Sequence, residues 1–97
     1  MTYYVYLLIS EQKINNKYIS YVGYTKDIQK RIKFHNEGKG AKFTRGKKWE
    51  LAYYKKFISK NLAMSEEFKL KKNSKLRNQI KKNFNEIKFS HSKKSIL

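Results

Sequence analysis

The sequence contains no cysteine. Disulfide staples and zinc–thiolate sites are therefore excluded as sources of stability. The absence also fits a reducing compartment, so a cytoplasmic location is expected. No apolar run reaches the ~18 residues that a membrane-spanning helix needs. The apolar start "MTYYVYLLIS" has no basic region ahead of it, so it reads as a buried strand rather than a signal peptide. Acidic residues are scarce, with Asp plus Glu at 7 against 24 Lys plus Arg. No cluster of three carboxylates suits a pair of metal ions ~3.5–4 Å apart. Without a Walker-type glycine loop or a metal-binding Asp pair, a nucleoside-triphosphatase reading also fails. Nothing resembles a zinc finger or a sequence-reading recognition helix.

What remains is a strongly basic chain of 97 residues with a net charge of +17. That length favours one domain, expected over residues 1–89, with residues 90–97 as a polar C-terminal tail. A lysine-rich genome alone inflates such a number, but 24 against 7 exceeds an ordinary drift. A field of this sign draws in polyanions, and nucleic acid is the leading partner through phosphate neutralisation and counterion release. A membrane surface is the weaker rival, because no long helix pairs a wide apolar face with aromatic anchors.

Residues 3–9 are rich in aromatic and branched side chains and predict a strand. The polar stretch "EQKINNK" predicts a hairpin turn, and residues 18–24 a second strand, antiparallel to the first. Thr25 is the expected cap of a following helix, with Asp27 in its first turn. Ile28, Ile32 and Phe34 give that helix an apolar side, and Gly38 and Gly40 supply its stop signals. A basic loop over 41–48 leads to a third strand over 49–57. Ser59 caps a helix to about residue 72, and Ser74 opens another with Leu76, Ile80, Phe84 and Ile87 on one side. The order ββαβαα predicts a small α+β domain, a three-stranded antiparallel sheet flanked by helices.

Three features do not follow from packing alone. Arg31 and His35 are four residues apart and share a helix face. Arg31 falls about 60° from Ile28, so both are expected along the boundary between core and solvent, near Tyr6 and Tyr21 of the strands beneath. In the later helix, Ala63, Glu67 and Leu70 follow the apolar spacing, with Met64 and Phe68 alongside. Glu67 is thus a carboxylate among apolar positions, which must be paired or bind a cation. One carboxylate suffices for a magnesium ion that keeps its waters and takes phosphate oxygens as further ligands. Lys39, Lys42, Arg45, Lys47 and Lys48 surround Phe43 in the basic loop, a pattern suited to a backbone groove where a base stacks. The plain alternative for each is structural: packed tyrosines, a solvated loop, and a glutamate paired to a lysine.

These residues fall in an order that resembles the GIY-YIG nuclease superfamily, specifically its small stand-alone members related to excision-repair and homing endonucleases. Tyr4-Val5-Tyr6 stands for the first motif and Tyr21-Val22-Gly23 for the second. "KDIQKRIKFH" matches the helix with the catalytic arginine at Arg31, "HNEGKGAKFTRG" the segment after it, and "EEFKLKK" the metal-binding segment at Glu67. The likeness covers roughly residues 3–84. Two departures stand out: Tyr4 where the first motif usually begins with glycine, and Tyr24 where some members carry a lysine, with Lys26 close by.

The resemblance implies a metal-dependent endonuclease using one Mg²⁺ or Mn²⁺ held by Glu67. Tyr6 is then the expected general base, with nearby cations favouring its phenolate, and His35 is the rival base. Tyr21 orients the water or the phosphate. Arg31 stabilises transition-state charge. Lys26, Lys39, Lys42, Phe43, Arg45, Lys47 and Lys48 are the nucleic-acid-binding candidates. DNA is the expected substrate, with RNA the alternative, and a structure-specific role in repair or recombination fits, with a protein partner or a homodimer as the source of specificity. The competing reading is a non-catalytic nucleic-acid-binding module on the same fold, but such a module has no need of Glu67.

Overall fold

A computed structural model of the chain describes residues 1–15 and 17–96, with side-chain surroundings over 1–10, 12–15 and 17–87. The elements run β1 (Tyr3–Ile14), β2 (Lys17–Thr25), α1 (Ile28–Asn36), a single 3-10 turn (Lys42–Thr44), β3 (Trp49–Phe57), α2 (Lys60–Lys72) and α3 (Ser74–Ile96). The three strands form one antiparallel sheet in the order β2-β1-β3. This is the α+β architecture expected from the sequence, with β1 as the central strand. The stretch read as a polar tail continues the α3 backbone as far as Ile96.

Strand β1 alternates with period two and buries both faces, as its run of apolar residues requires. Val5, Leu7 and Ile9 join Val22 against Ala63 and Leu70 of α2 and Ile80 of α3. Tyr6 and Leu8 point the other way and pack with Trp49, Leu51, Ile19, Tyr21 and Ile32 of α1. The sheet is thereby sandwiched, with α1 on one face and α2 and α3 on the other.

Several local expectations change in detail. The hairpin strands are longer than expected, β1 reaching Ile14, and the turn begins at Asn15 with φ 52°; Asn16 lies outside the described residues. The cap of α1 is Asp27, whose carboxylate accepts from the Lys30 N–H at 3.1 Å. Thr25 instead holds the Asp27 backbone, its hydroxyl accepting from the Asp27 N–H at 3.2 Å. Ser59 caps α2 as expected, and Ser74 opens α3 as expected, with Asn73 capping it by accepting from the Leu76 N–H at 3.0 Å. Gly38 ends α1 with φ 76°. Met64 and Phe68 are 45% and 56% exposed, so the buried stripe of α2 is narrower than its apolar residues suggest.

Candidate active site

A cleft of about 660 Å³ wraps the C-terminal end of β2. Tyr6, Tyr21, Arg31, His35 and Glu67 line it together, with Lys26 at its rim. Arg31 and His35 come from α1 on one face of the sheet, Tyr6 and Tyr21 from the adjacent strands, and Glu67 from α2 on the other face. The five candidates thus meet although they span positions 6 to 67.

Two glycines make room for this meeting. Gly23 pairs directly with Tyr6 across the hairpin. A Cβ there would collide with the Tyr6 hydroxyl and ring. Gly40, expected as a helix stop, serves His35 instead: a Cβ there would collide with the imidazole. Each glycine admits a ring laid flat on the backbone, which any side chain would block.

His35 is 1% exposed and Tyr6 3%, so the boundary position expected for His35 is corrected to full burial. The reason is a hydrogen-bonded chain that satisfies the ring on both sides. The Tyr6 hydroxyl lies 3.0 Å from His35 Nε2, and His35 Nδ1 lies 2.8 Å from Thr44 Oγ1. The Thr44 hydroxyl donates its single proton to the Ala41 carbonyl at 2.8 Å. Toward His35 it therefore accepts, which puts the imidazole proton on Nδ1 and makes Nε2 the acceptor of the Tyr6 O–H. The Trp49 indole N–H donates to the Thr44 carbonyl at 3.0 Å, and Asn36 bonds the Trp49 backbone through both its amide nitrogen and its amide oxygen. Thr44 is fully buried and was not singled out in the sequence, where it is one polar residue in a basic loop.

Burial pushes the Tyr6 phenol well above the ordinary tyrosine range, helped by Tyr21 and Glu67 and only partly opposed by Arg31. A standing phenolate is therefore disfavoured, contrary to the expectation that nearby cations stabilise one. Burial, and then Arg31, hold the His35 imidazole below its ordinary 6.5. Both groups prefer their neutral forms, which fixes the pH response of stability. Below pH 6.5 the unfolded His35 binds a proton that the folded one refuses, so stability falls as the pH drops from there. Above pH 10.0 the unfolded Tyr6 loses a proton that the folded one keeps, so stability falls again. Melting temperature measured against pH should describe a plateau between these limits, and His35→Gln should flatten its acid side.

Arg31 is half-buried and has no carboxylate partner among the described residues. Glu67 pairs with Lys71 at 3.1 Å, its side chain 18% exposed. Among the described residues no three metal-ligating side chains come together. Glu67 therefore fits a hydrated ion completed by phosphate oxygens, and not an all-protein cage. The loop cations fare differently. Lys39, Lys42, Arg45, Lys47 and Lys48 do not line this cleft, and Lys39 lies 3.9 Å from Glu37. Phe43 is 52% exposed and stacks on Tyr21 with ring centroids 6.3 Å apart at 20°, with the Lys47 ammonium 5.1 Å from its centroid. Lys60 joins the cleft wall, though an exposed lysine at a helix start carries no signal that would single it out in this lysine-rich sequence.

A family model described as the GIY-YIG catalytic domain matches residues 2–93 of the chain. A UPF0213 protein of Oceanobacillus iheyensis is 44% identical over 71 residues, covering 71% of this chain and 76% of that protein. A UPF0213 protein of Bacillus pumilus is 50% identical over 52 residues, a match spanning 53% of each. The solution NMR structure of a UPF0213 protein from Bacillus halodurans shares 39% identity, covering 81% of this chain and 80% of that one with a TM-score of 0.45.

Proposed function

The chain belongs to the GIY-YIG catalytic domain family, and from that premise we propose that it is a divalent-metal-dependent endonuclease hydrolysing phosphodiester bonds in DNA. The observation that carries this reading is the convergence of Tyr6, Tyr21, Arg31, His35 and Glu67 on one cleft. A nucleic-acid substrate accords with the net charge of +17.

Tyr6 and His35 act as one unit. The buried phenol is a weak base alone, but its proton already points at His35 Nε2, 3.0 Å away. As a water attacks phosphorus, its proton passes to the Tyr6 oxygen while the phenolic proton moves to Nε2. The imidazolium so formed keeps its Nδ1–H on Thr44, which makes Thr44 a positioning residue. Only neutral His35 can accept, and its lowered pKa keeps it neutral across the physiological range. Tyr21 borders the same space and orients the water or the scissile phosphate. Arg31, without a carboxylate partner among the described residues, offsets the charge that grows on the phosphoryl oxygens. Glu67 would hold the metal in place of its pair with Lys71, and Lys26 and Phe43 contact the strand. The bound ion supplies Lewis-acid polarisation of the phosphate and charge for the leaving oxygen.

The test is a cleavage panel of duplex, nicked, flap and four-way DNA and single-stranded RNA, with Mg²⁺, Mn²⁺ or EDTA. Cutting that requires the metal supports the proposal, and the preferred member of the panel assigns the substrate structure. Salt-sensitive binding with no cutting of any member would overturn it in favour of a binding module.

A further inference from the structure

Tyr21 also borders a second cleft, of about 630 Å³, that runs along the outer edge of β2 toward α3. Phe43 closes one end of it, and Lys17, Lys71, Arg77 and Lys81 line the other. Beyond Lys81 a smaller depression of about 360 Å³ adds Lys13 and Lys82. Among the described residues no carboxylate lines either. Arg77 and Lys81 are one turn apart on α3, and Lys17 faces them from the start of β2. Two carbonyls at the end of α2, those of Leu70 and Lys71, accept hydrogen bonds from the Arg77 guanidinium. That fixes the fork in place and leaves further N–H donors on it. Lys81 is half-buried, and its ammonium is disfavoured by that burial and by the charges of Arg77 and Lys17. Like charges held together without a counter-charge oppose folding, and an anion between them relieves the cost.

We propose that Lys17, Arg77 and Lys81 form a distal phosphate clamp, which grips the sugar–phosphate backbone of the substrate strand away from the scissile bond. The inference rests on the nuclease reading for what lies in the first cleft, but its own test is a binding test. The strand leaves the catalytic cleft past Tyr21 and Phe43, where an unstacked base meets an exposed ring, and its backbone continues along the β2 edge to the clamp. β2 is an edge strand of the sheet, so no further strand of the sheet lies across this path before the clamp residues of α3. The clamp makes grip depend on strand length, and as a contact to phosphates it carries no sequence information directly.

The experiment measures binding in EDTA, where nothing is cut, by fluorescence anisotropy. The probes are single DNA strands of about 4 and about 16 nucleotides, the limits typical of small single-strand-binding folds. Lys17→Gln combined with Lys81→Gln is compared with Lys55→Gln combined with Lys56→Gln, which removes equal charge from the opposite edge strand, β3. The clamp variant should bind the long strand at least about tenfold more weakly than the control. It should also flatten the salt dependence, log K against log salt, by about 1.4, the share of two phosphate contacts. The short strand should bind both variants alike. Because Lys81 is half-buried, Lys17→Gln alone, at an exposed position, should give about half that change in slope. Equal losses in clamp and control variants, or equal losses on short and long strands, would overturn the clamp. If the protein binds by this pattern yet cuts nothing, the nuclease reading fails and the clamp stands.

Discussion

Glu67→Gln is expected to lower metal-dependent cleavage by about 10³-fold or more while leaving binding in EDTA intact or tighter. A metal that polarises a phosphoryl oxygen is worth several kcal/mol at the transition state, and each ~1.4 kcal/mol is a factor of ten in rate. Glutamine keeps the shape and loses the charge that holds the ion. It also releases Lys71 from its 3.1 Å pair, adding a free cation beside an incoming polyanion. The fold should survive, since Lys71 is half-exposed in that pair and such pairs contribute about 0–1 kcal/mol. Glu66 is the internal control: it pairs with Lys69 at 3.4 Å and lines a separate cleft with Leu70 and Leu76, so Glu66→Gln should cut normally. Cleavage by Glu67→Gln within tenfold of the wild type, at the same metal concentration, would remove Glu67 from the metal's coordination.

Tyr6→Phe should reduce cleavage by about 10²–10⁴-fold, the range of a lost general base. The ring remains to fill the space over Gly23, so the variant should fold. It leaves His35 Nε2 buried without its donor, a loss of about 1–3 kcal/mol in stability. The companion substitution, Thr44→Val, keeps the shape at 44 and removes the acceptor for His35 Nδ1–H. A cleavage-against-pH profile separates a positioning role from a structural one. In the wild type the rate should rise with pH through the lowered pKa of His35 and then level. Thr44→Val should lower the plateau and displace the rise, and Thr44→Ser, which restores the hydroxyl, should recover both. A Tyr6→Phe protein that cuts at the wild-type rate would exclude the Tyr6–His35 proton path.

The strands were legible because their signal is local and redundant. Residues 49–57 read as a strand with the bounds observed, as branched and aromatic residues cluster there and basic residues precede them. Glu67 was legible for a related reason: Ala63 and Leu70 set a buried spacing that placed a carboxylate at the core edge, where the structure has it. Met64 and Phe68 misled, because an apolar side chain does not itself say which way a short helix is rotated. Arg31 was placed correctly by its angle from Ile28, but the same reasoning set His35 too far out. Its burial depends on Thr44, nine residues on, and on the absence of a Cβ at Gly40. Neither is a periodic signal. Thr44 is identified only through its partners, and the clustering of Lys17 with Arg77 and Lys81 arises from a contact between β2 and α3 that no local pattern encodes.

The hydroxyl proposed to take the water's proton stands on the middle strand of the sheet. β1 is hydrogen-bonded on both sides, to β2 and to β3, and Val5 to Ile9 are almost wholly excluded from water. Exposing that strand requires both neighbours to detach and both helical layers to lift, which in a molecule of this size is close to complete unfolding. Edge segments open at much smaller cost. The proton-accepting hydroxyl is therefore anchored in the most persistent part of the molecule, while the proposed distal grip lies along β2's outer edge, where opening costs less. Changes at the exposed Lys17 end of that edge can retune the grip without touching the Tyr6–His35–Thr44 chain.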